Sequence, residues 1–326
     1  ADSTGTNHPK AAIVHGRGAS KRLWAYGCPT DPKILYVSAN GTDNFVTGVV
    51  TLSIETGDGF GVVALSEFSE QLIAIGKTRP YLIDDEDVDT DKWGYRPAKW
   101  LGGAAHDRLV VRTPNDLIAM EEDGEIYSVI KAQSSGDFHA VSMARPAHID
   151  TWVKTNVDLS QIDDFFMVYD RTLRAVKIFV IRNDKTEPDC VLVYFIDRPH
   201  TEAWTNHRFY KTDFAVSATE VRVAAGNWKI YTGGQSGHVY ELESSTISDD
   251  GVYFYSGFLM PEISFDDPRG EKMYDRALLV MRQSGTEDVR ENLWIDGNPV
   301  ASAYTLADES GNLIADESGN NIVCHE

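Results

Sequence analysis

Apolar residues along this chain gather in short runs, three to seven positions long, that recur every 8 to 14 positions. In the first half they occupy 22–26, 34–37, 49–54, 61–65, 72–75, 109–111, 117–120 and 126–130. In the second they occupy 165–169, 175–181, 190–196, 229–232 and 238–242. β-Branched and aromatic residues fill the runs, while Gly, Asp, Asn and Pro fill the gaps, which predicts strands joined by turns. Asp123-Gly124, set between two runs, predicts a hairpin with left-handed turn positions. One segment departs from this pattern. Behind Pro146, residues Ile149, Trp152, Val153 and Val157 recur at roughly helical spacing, predicting a short helix within 147–164 that spans between sheets.

Grouped in fours, the strands form five weakly similar blocks at 10–54, 60–100, 104–135, 163–210 and 213–258. Blocks of that size match β-propeller blades. Three share a comparable phrase, beginning at Gln71, Asp116 and Trp228. The expectation is an all-β chain, with a propeller of five to seven blades over 1–258 and a small β module over 259–326. Two packed sandwiches are the competing architecture. The module has strand-like runs at 276–282 and 291–296, then a tail that repeats Ala-Asp-Glu-Ser-Gly-Asn at 307–312 and 315–320. Its apolar pairs, Leu313-Ile314 and Ile322-Val323, are too few to fold alone. They are the candidate interaction residues, expected to join the sheet of a neighbouring subunit.

Charge narrows the partners. With 30 Lys+Arg against 50 Asp+Glu, the formal net charge is −20, which disfavours a grip on nucleic-acid phosphates or on an anionic membrane surface. No apolar run approaches the roughly 20 residues of a membrane-spanning helix, and Ala1–Gly5 lacks the basic and apolar stretches of a signal peptide. The three cysteines, Cys28, Cys190 and Cys324, are too scattered for a disulfide framework or a zinc site.

Candidate chemistry is sparse. The acidic run 84–91 places Asp87, Asp89 and Asp91 like the first ligands of a calcium loop, but Lys92 and Ala98 stand where Gly and Glu are required. A solvated acidic loop is the better reading. Gly234-Gln235-Ser236-Gly237-His238 has His in place of the last glycine of a nucleophile elbow and lies between strands, as a hairpin turn does. Ser38 to Phe45 reads as a tight turn tucking Phe45 into the core, and Gly57 to Gly61 as a turn between blades. The histidines, His200 and His207 included, have no partner at ligand spacing. We therefore predict no catalytic residue, no metal and no cofactor.

Several phrases, in order, resemble the β-propeller structural proteins of tailed-bacteriophage tails and necks, of the tail-nozzle or hub type. They are Lys21-Arg22-Leu23-Trp24-Ala25-Tyr26-Gly27 leading to Ile34-Leu35-Tyr36-Val37-Ser38 and Gly41-Thr42-Asp43-Asn44-Phe45, then Glu67 through Tyr81, and Asn115 through Tyr127. Asp189 through Asp197 with Ala203-Trp204-Thr205, and Ile230 through Tyr240, complete the series, which covers about 20–245. The resemblance implies a non-enzymatic virion component, made in the host cytoplasm and placed in the tail or neck. It also implies assembly with copies of itself and with other phage tail proteins, around a conduit that DNA crosses without specific binding. An acidic wall suits that role, since it repels phosphate. The rival expectation is an exterior propeller that reads host-surface glycan, with Trp93, Tyr95 and Trp100 as stacking candidates; a glycosidase comes third.

Overall fold

A computed structural model of the chain describes residues 8–242, apart from 17, 44, 46–49, 88, 100–101, 132–137, 200–201 and 210–213. Beyond these it describes six two-residue strands. The fold is all-β, with five antiparallel sheets of three or four strands in chain order. Sheet 1 holds β1 (Ala11–His15), β2 (Arg22–Tyr26), β3 (Ile34–Val37) and β4 (Val50–Ser53). Sheet 2 holds β5 (Ala64–Phe68), β6 (Gln71–Ile75), β7 (Pro80–Asp84) and β8 (Gly94–Pro97). Sheet 3 holds β9 (Val110–Arg112), β10 (Leu117–Met120), β11 (Ile126–Lys131) and β12 (Phe138–Ser142). Sheet 4 holds β13 (Phe166–Asp170), β14 (Ala175–Val180), β15 (Cys190–Phe195) and β16 (Trp204–Arg208). Sheet 5 holds β17 (Ala215–Ala224), β18 (Asn227–Gly234) and β19 (Val239–Glu241).

In every sheet, chain neighbours are sheet neighbours, so each is a simple meander. First strands touch first strands in succession: β1 meets β5, β5 meets β9, β9 meets β13 and β13 meets β17. Four apolar clusters fill the successive gaps. Trp24, Leu35, Leu72 and Ile83 lie between sheets 1 and 2, and Ile73, Leu82, Leu117 and Val129 between sheets 2 and 3. Ile118, Met120, Ile178 and Leu192 lie between sheets 3 and 4, and Phe166, Phe179, Val191 and Ile230 between sheets 4 and 5. Sheets 2 to 4 thus bury both faces, which is why Leu72–Ile75 and Leu117–Met120 are continuous apolar runs rather than alternating ones, and why all of β14 is buried, Lys177 included.

The expected helix is present as α1 (Ile149–Asn156), flanked by 3-10 turns at Arg145–Ala147 and Leu159–Asp164. It links β12 to β13, and its Val153, with Ile149 and Trp152 beside it, joins the cluster between sheets 3 and 4. Three local expectations need correction. In the β10–β11 loop only Gly124 is left-handed (φ 83°), because the Asp123 carboxylate accepts from Glu125 N–H (2.9 Å) and supports an ordinary turn that one glycine closes. Phe45 is only partly buried and belongs to none of the core clusters; Ser38, whose hydroxyl donates to Thr42 O (2.6 Å), holds that turn instead. The run at 61–65 enters its strand only at Ala64, since Gly61 (φ 79°) still belongs to the linker, with Val62 N–H bonded to Pro32 O (2.9 Å).

The chain divides into two compact units, Ala1–Gly257 and Phe258–Glu326. In the first, Ser248–Asp249 (β20) pairs with Val252–Tyr253 (β21). In the second, Trp294–Ile295 (β22) pairs with Asn298–Pro299 (β23), and Tyr304–Thr305 (β24) with Val323–Cys324 (β25). The run at 276–282 lies outside the described residues, and so do Leu313, Ile314 and Ile322.

Candidate functional site

The densest polar constellation gathers where β1, β5 and β9 end. His15, the last residue of β1, is buried, with Nδ1 3.1 Å from Glu67 Oε2 and Nε2 3.4 Å from Asp85 Oδ2. Glu67 lies on β5, and its other oxygen is 3.4 Å from the Arg112 guanidinium on β9. One imidazole and one guanidinium therefore link three sheets through a shared carboxylate. Burial alone would lower the His15 pKa, but Asp85 and Glu67 outweigh it and raise it above the ordinary imidazole value.

Beside this cluster a cleft of about 380 Å³ opens between the β5–β6 turn and the loop after β9, with Glu67, Glu70, Arg112 and Asn115 on its walls. The turn residues Ser69 (φ 50°) and Glu70 (φ 65°) are both left-handed. A two-residue hairpin needs that twist, and asking it of residues with a Cβ costs about 1 kcal/mol each.

A second, more polar cleft of about 590 Å³ lies between β4 and the 3-10 turn Thr90–Lys92, lined by Val50, Thr51, Leu52, Thr90, Asp91 and Trp93. Of the expected stacking residues, Trp93 is therefore in a cleft, but its ring already stacks on Trp24 (5.4 Å, 18°) and lies under Arg22 (5.3 Å). Tyr95 packs edge-on against Tyr81 (5.7 Å), and its hydroxyl accepts from Glu55 N–H (3.0 Å). Trp100 lies outside the described residues.

The acidic loop satisfies itself. Asp87 accepts from Asp89 N–H (2.9 Å), Asp89 accepts from Asp91 N–H (3.2 Å), and Lys92 Nζ is 3.6 Å from Asp87 and 3.7 Å from Asp89. Among the described residues, no three His, Cys, Asp or Glu side chains gather where they could hold a metal ion. Ser236 and His238 approach to 2.8 Å, but in the exposed turn between β18 and β19, closed by Gly237 N–H to Gly234 O (3.1 Å). That turn is the hairpin expected from the sequence. Elsewhere the perturbed groups serve the fold. Burial pushes the Cys190 thiol up to about 12, and the ion pair of half-buried Arg182 with buried Asp189 (2.6 Å) braces sheet 4. Among the described residues, no helix is long and apolar enough to cross a membrane.

Sequence reasoning missed the His15 cluster, because its members are 52 and 45 positions apart along the chain. The usable signal was the block alignment: the first strands of the first three blocks all carry a charged or titratable residue at or next to their last position. Of the four candidate interaction residues, only Val323 is described, in β25, where it pairs with Thr305.

No protein-family model matches this chain, and no curated protein does.

Proposed function

We propose that the chain is a non-enzymatic structural protein of a tailed-bacteriophage virion, a β-propeller of five to seven blades in the tail or neck. It assembles with copies of itself and with other tail proteins around the path of DNA ejection. One observation carries this reading. The phrases that resemble nozzle and hub proteins fall one to a sheet and in order: Arg22–Tyr26 is β2, Gln71–Ile75 is β6, Leu117–Met120 is β10, Cys190–Phe195 is β15, and the last runs from β18 into β19. Consecutive meanders with first strands in contact are what blades around an axis require, and sheets buried on both faces suit that stacking. The His15–Glu67–Arg112 cluster ties sheets 1, 2 and 3 to one another, as a load-carrying scaffold needs.

Labelling virions of the encoding phage with antibody against this chain tests the proposal. Gold at the tail or neck supports it, and gold confined to the capsid or absent from particles overturns it. The polar cleft holding the Trp93 ring beside Thr51, Thr90 and Asp91 favours a second reading, in which the outer surface binds host glycan. A glycan array probed with wild-type protein and Trp93→Ala separates the two.

A further inference from the structure

His15 stands between two carboxylates, one on each ring nitrogen (3.1 Å to Glu67, 3.4 Å to Asp85). A neutral imidazole has one N–H and one lone pair, so it can satisfy only one of them; the other would face a lone pair. The arrangement is that of an imidazolium. Other charged groups around the ring do not substitute for it. Arg22, its register partner on β2, donates to Ser38 O (2.8 Å) and covers Trp93, and Arg112 reaches only the far oxygen of Glu67 (3.4 Å). On the side of β7 stand Asp84 and Glu86, both exposed acids. Without the proton on His15, Asp85 would adjoin Glu67 and its acidic neighbours with no cation between.

Asp85 is the root of the acidic loop. Two residues on, the Asp87 carbonyl accepts the Trp93 indole N–H (2.7 Å), and Trp93 stacks on Trp24, whose ring meets His15 edge-on (6.5 Å). We propose that His15 is a pH-operated latch: protonated, it pins Asp85, and through it the Trp93 ring that stacks on Trp24 of β2, to sheet 1, and on losing its proton it releases Asp85 and Trp93. Because its folded pKa is raised, the latch is complete below the unfolded value of about 6.5 and is lost as pH rises through the folded value. The opening of the Trp93 cleft thereby becomes pH-dependent, whichever role that surface has in the assembly.

The test is near-UV circular dichroism and tryptophan fluorescence of the full chain from pH 6 to 9. Wild type is expected to show a transition with its midpoint above 6.5, absent in His15→Gln and moved to lower pH in Asp85→Asn. A flat wild-type profile, or the same transition in His15→Gln, overturns the latch. Should His15→Gln fail to fold, the His15 Cε1 proton resonance of wild type decides alone. A midpoint above 6.5 supports the latch, and one at or below 6.5 overturns it.

Discussion

Lys177 Nζ lies 3.1 Å from Asp170 Oδ2 inside sheet 4, and the two side chains are only 2% and 7% exposed. An ion pair this deep gains little net stability, yet stranding one partner costs about 3–5 kcal/mol. Lys177→Met should therefore lower the unfolding free energy by that order, read as a lower urea midpoint at an unchanged slope. The double variant Lys177→Met/Asp170→Asn should recover much of the loss, because Asn can still accept from Thr172 and Leu173 N–H (both 3.0 Å) without a stranded charge. Asp116 makes the opposite kind of test. Burial raises its carboxyl to about 6, against hydrogen bonds from Ser128 and from Leu117 N–H that lower it. A folded carboxyl raised in this way favours the fold below its unfolded pKa, and that advantage disappears as pH rises through 6. Wild type should accordingly lose about 2 kcal/mol between pH 4 and 7 relative to Asp116→Asn, measured by urea unfolding at each pH. Neither residue was legible as special, since burial and long-range partners decide both. The Gly234–His238 hairpin was legible because its chemistry is local.

At the scale of elements, the strands that could be read include those buried on both faces, and also β4 and β19, which keep exposed positions. The second strands β6, β10 and β14 are nearly all buried, and each appears in the sequence as a mainly apolar run, broken in β14 only by Lys177. The missed strands include some with exposed positions, and also β7, buried at four of its five positions but opened by Pro80 and closed by Asp84. β8 is Gly-Tyr-Arg-Pro, and β17 shows little alternation because seven of its ten residues are exposed. The fourth strand of the third block, β12, was missed outright, which is why that block was ended at 135 rather than at Ser142. Connections between sheets depend on glycine for space. Gly103, in the loop between β8 and β9, passes so close to the preceding sheet that an added Cβ would lie 1.9 Å from Lys77 O, a backbone atom that cannot swing away. Next to it, Ala104 N–H bonds to Gly76 O (3.1 Å). Gly103→Ala must push sheets 2 and 3 apart, at the expense of the Tyr127 hydroxyl bond to Gly103 O. Its thermal midpoint should fall by at least about 5 °C, from a loss of about 3 kcal/mol in a domain of this size. Gly94→Ala, with open space around its Cβ, should leave the midpoint within about 1 °C.

Over the whole molecule, the division into five successive blocks could be read, with the third ended too early, because each sheet is built from consecutive residues. The number of blades could not, since closure depends on how the first and last sheets meet and no local pattern encodes that. All five sheets lie inside the unit Ala1–Gly257, and the tail belongs to the other unit, Phe258–Glu326. Within that second unit the described tail contact is a two-residue ladder, Tyr304 with Cys324 and Thr305 with Val323. So short a ladder satisfies few backbone groups, and a pair of strands alone is marginal in water. The repeat 307–320 and its apolar pairs therefore have more to gain from another sheet than from each other. Deleting 305–326 removes β25 and its partner Thr305 without touching sheets 1 to 5. The truncated chain should keep the far-UV spectrum and urea midpoint of the first unit, while its recovery in assembled tails, measured by quantitative immunoblot of purified particles, falls several-fold. Assembly at the wild-type level would show that the tail makes no subunit contact, and a lowered midpoint would show that it stabilises the sheets directly.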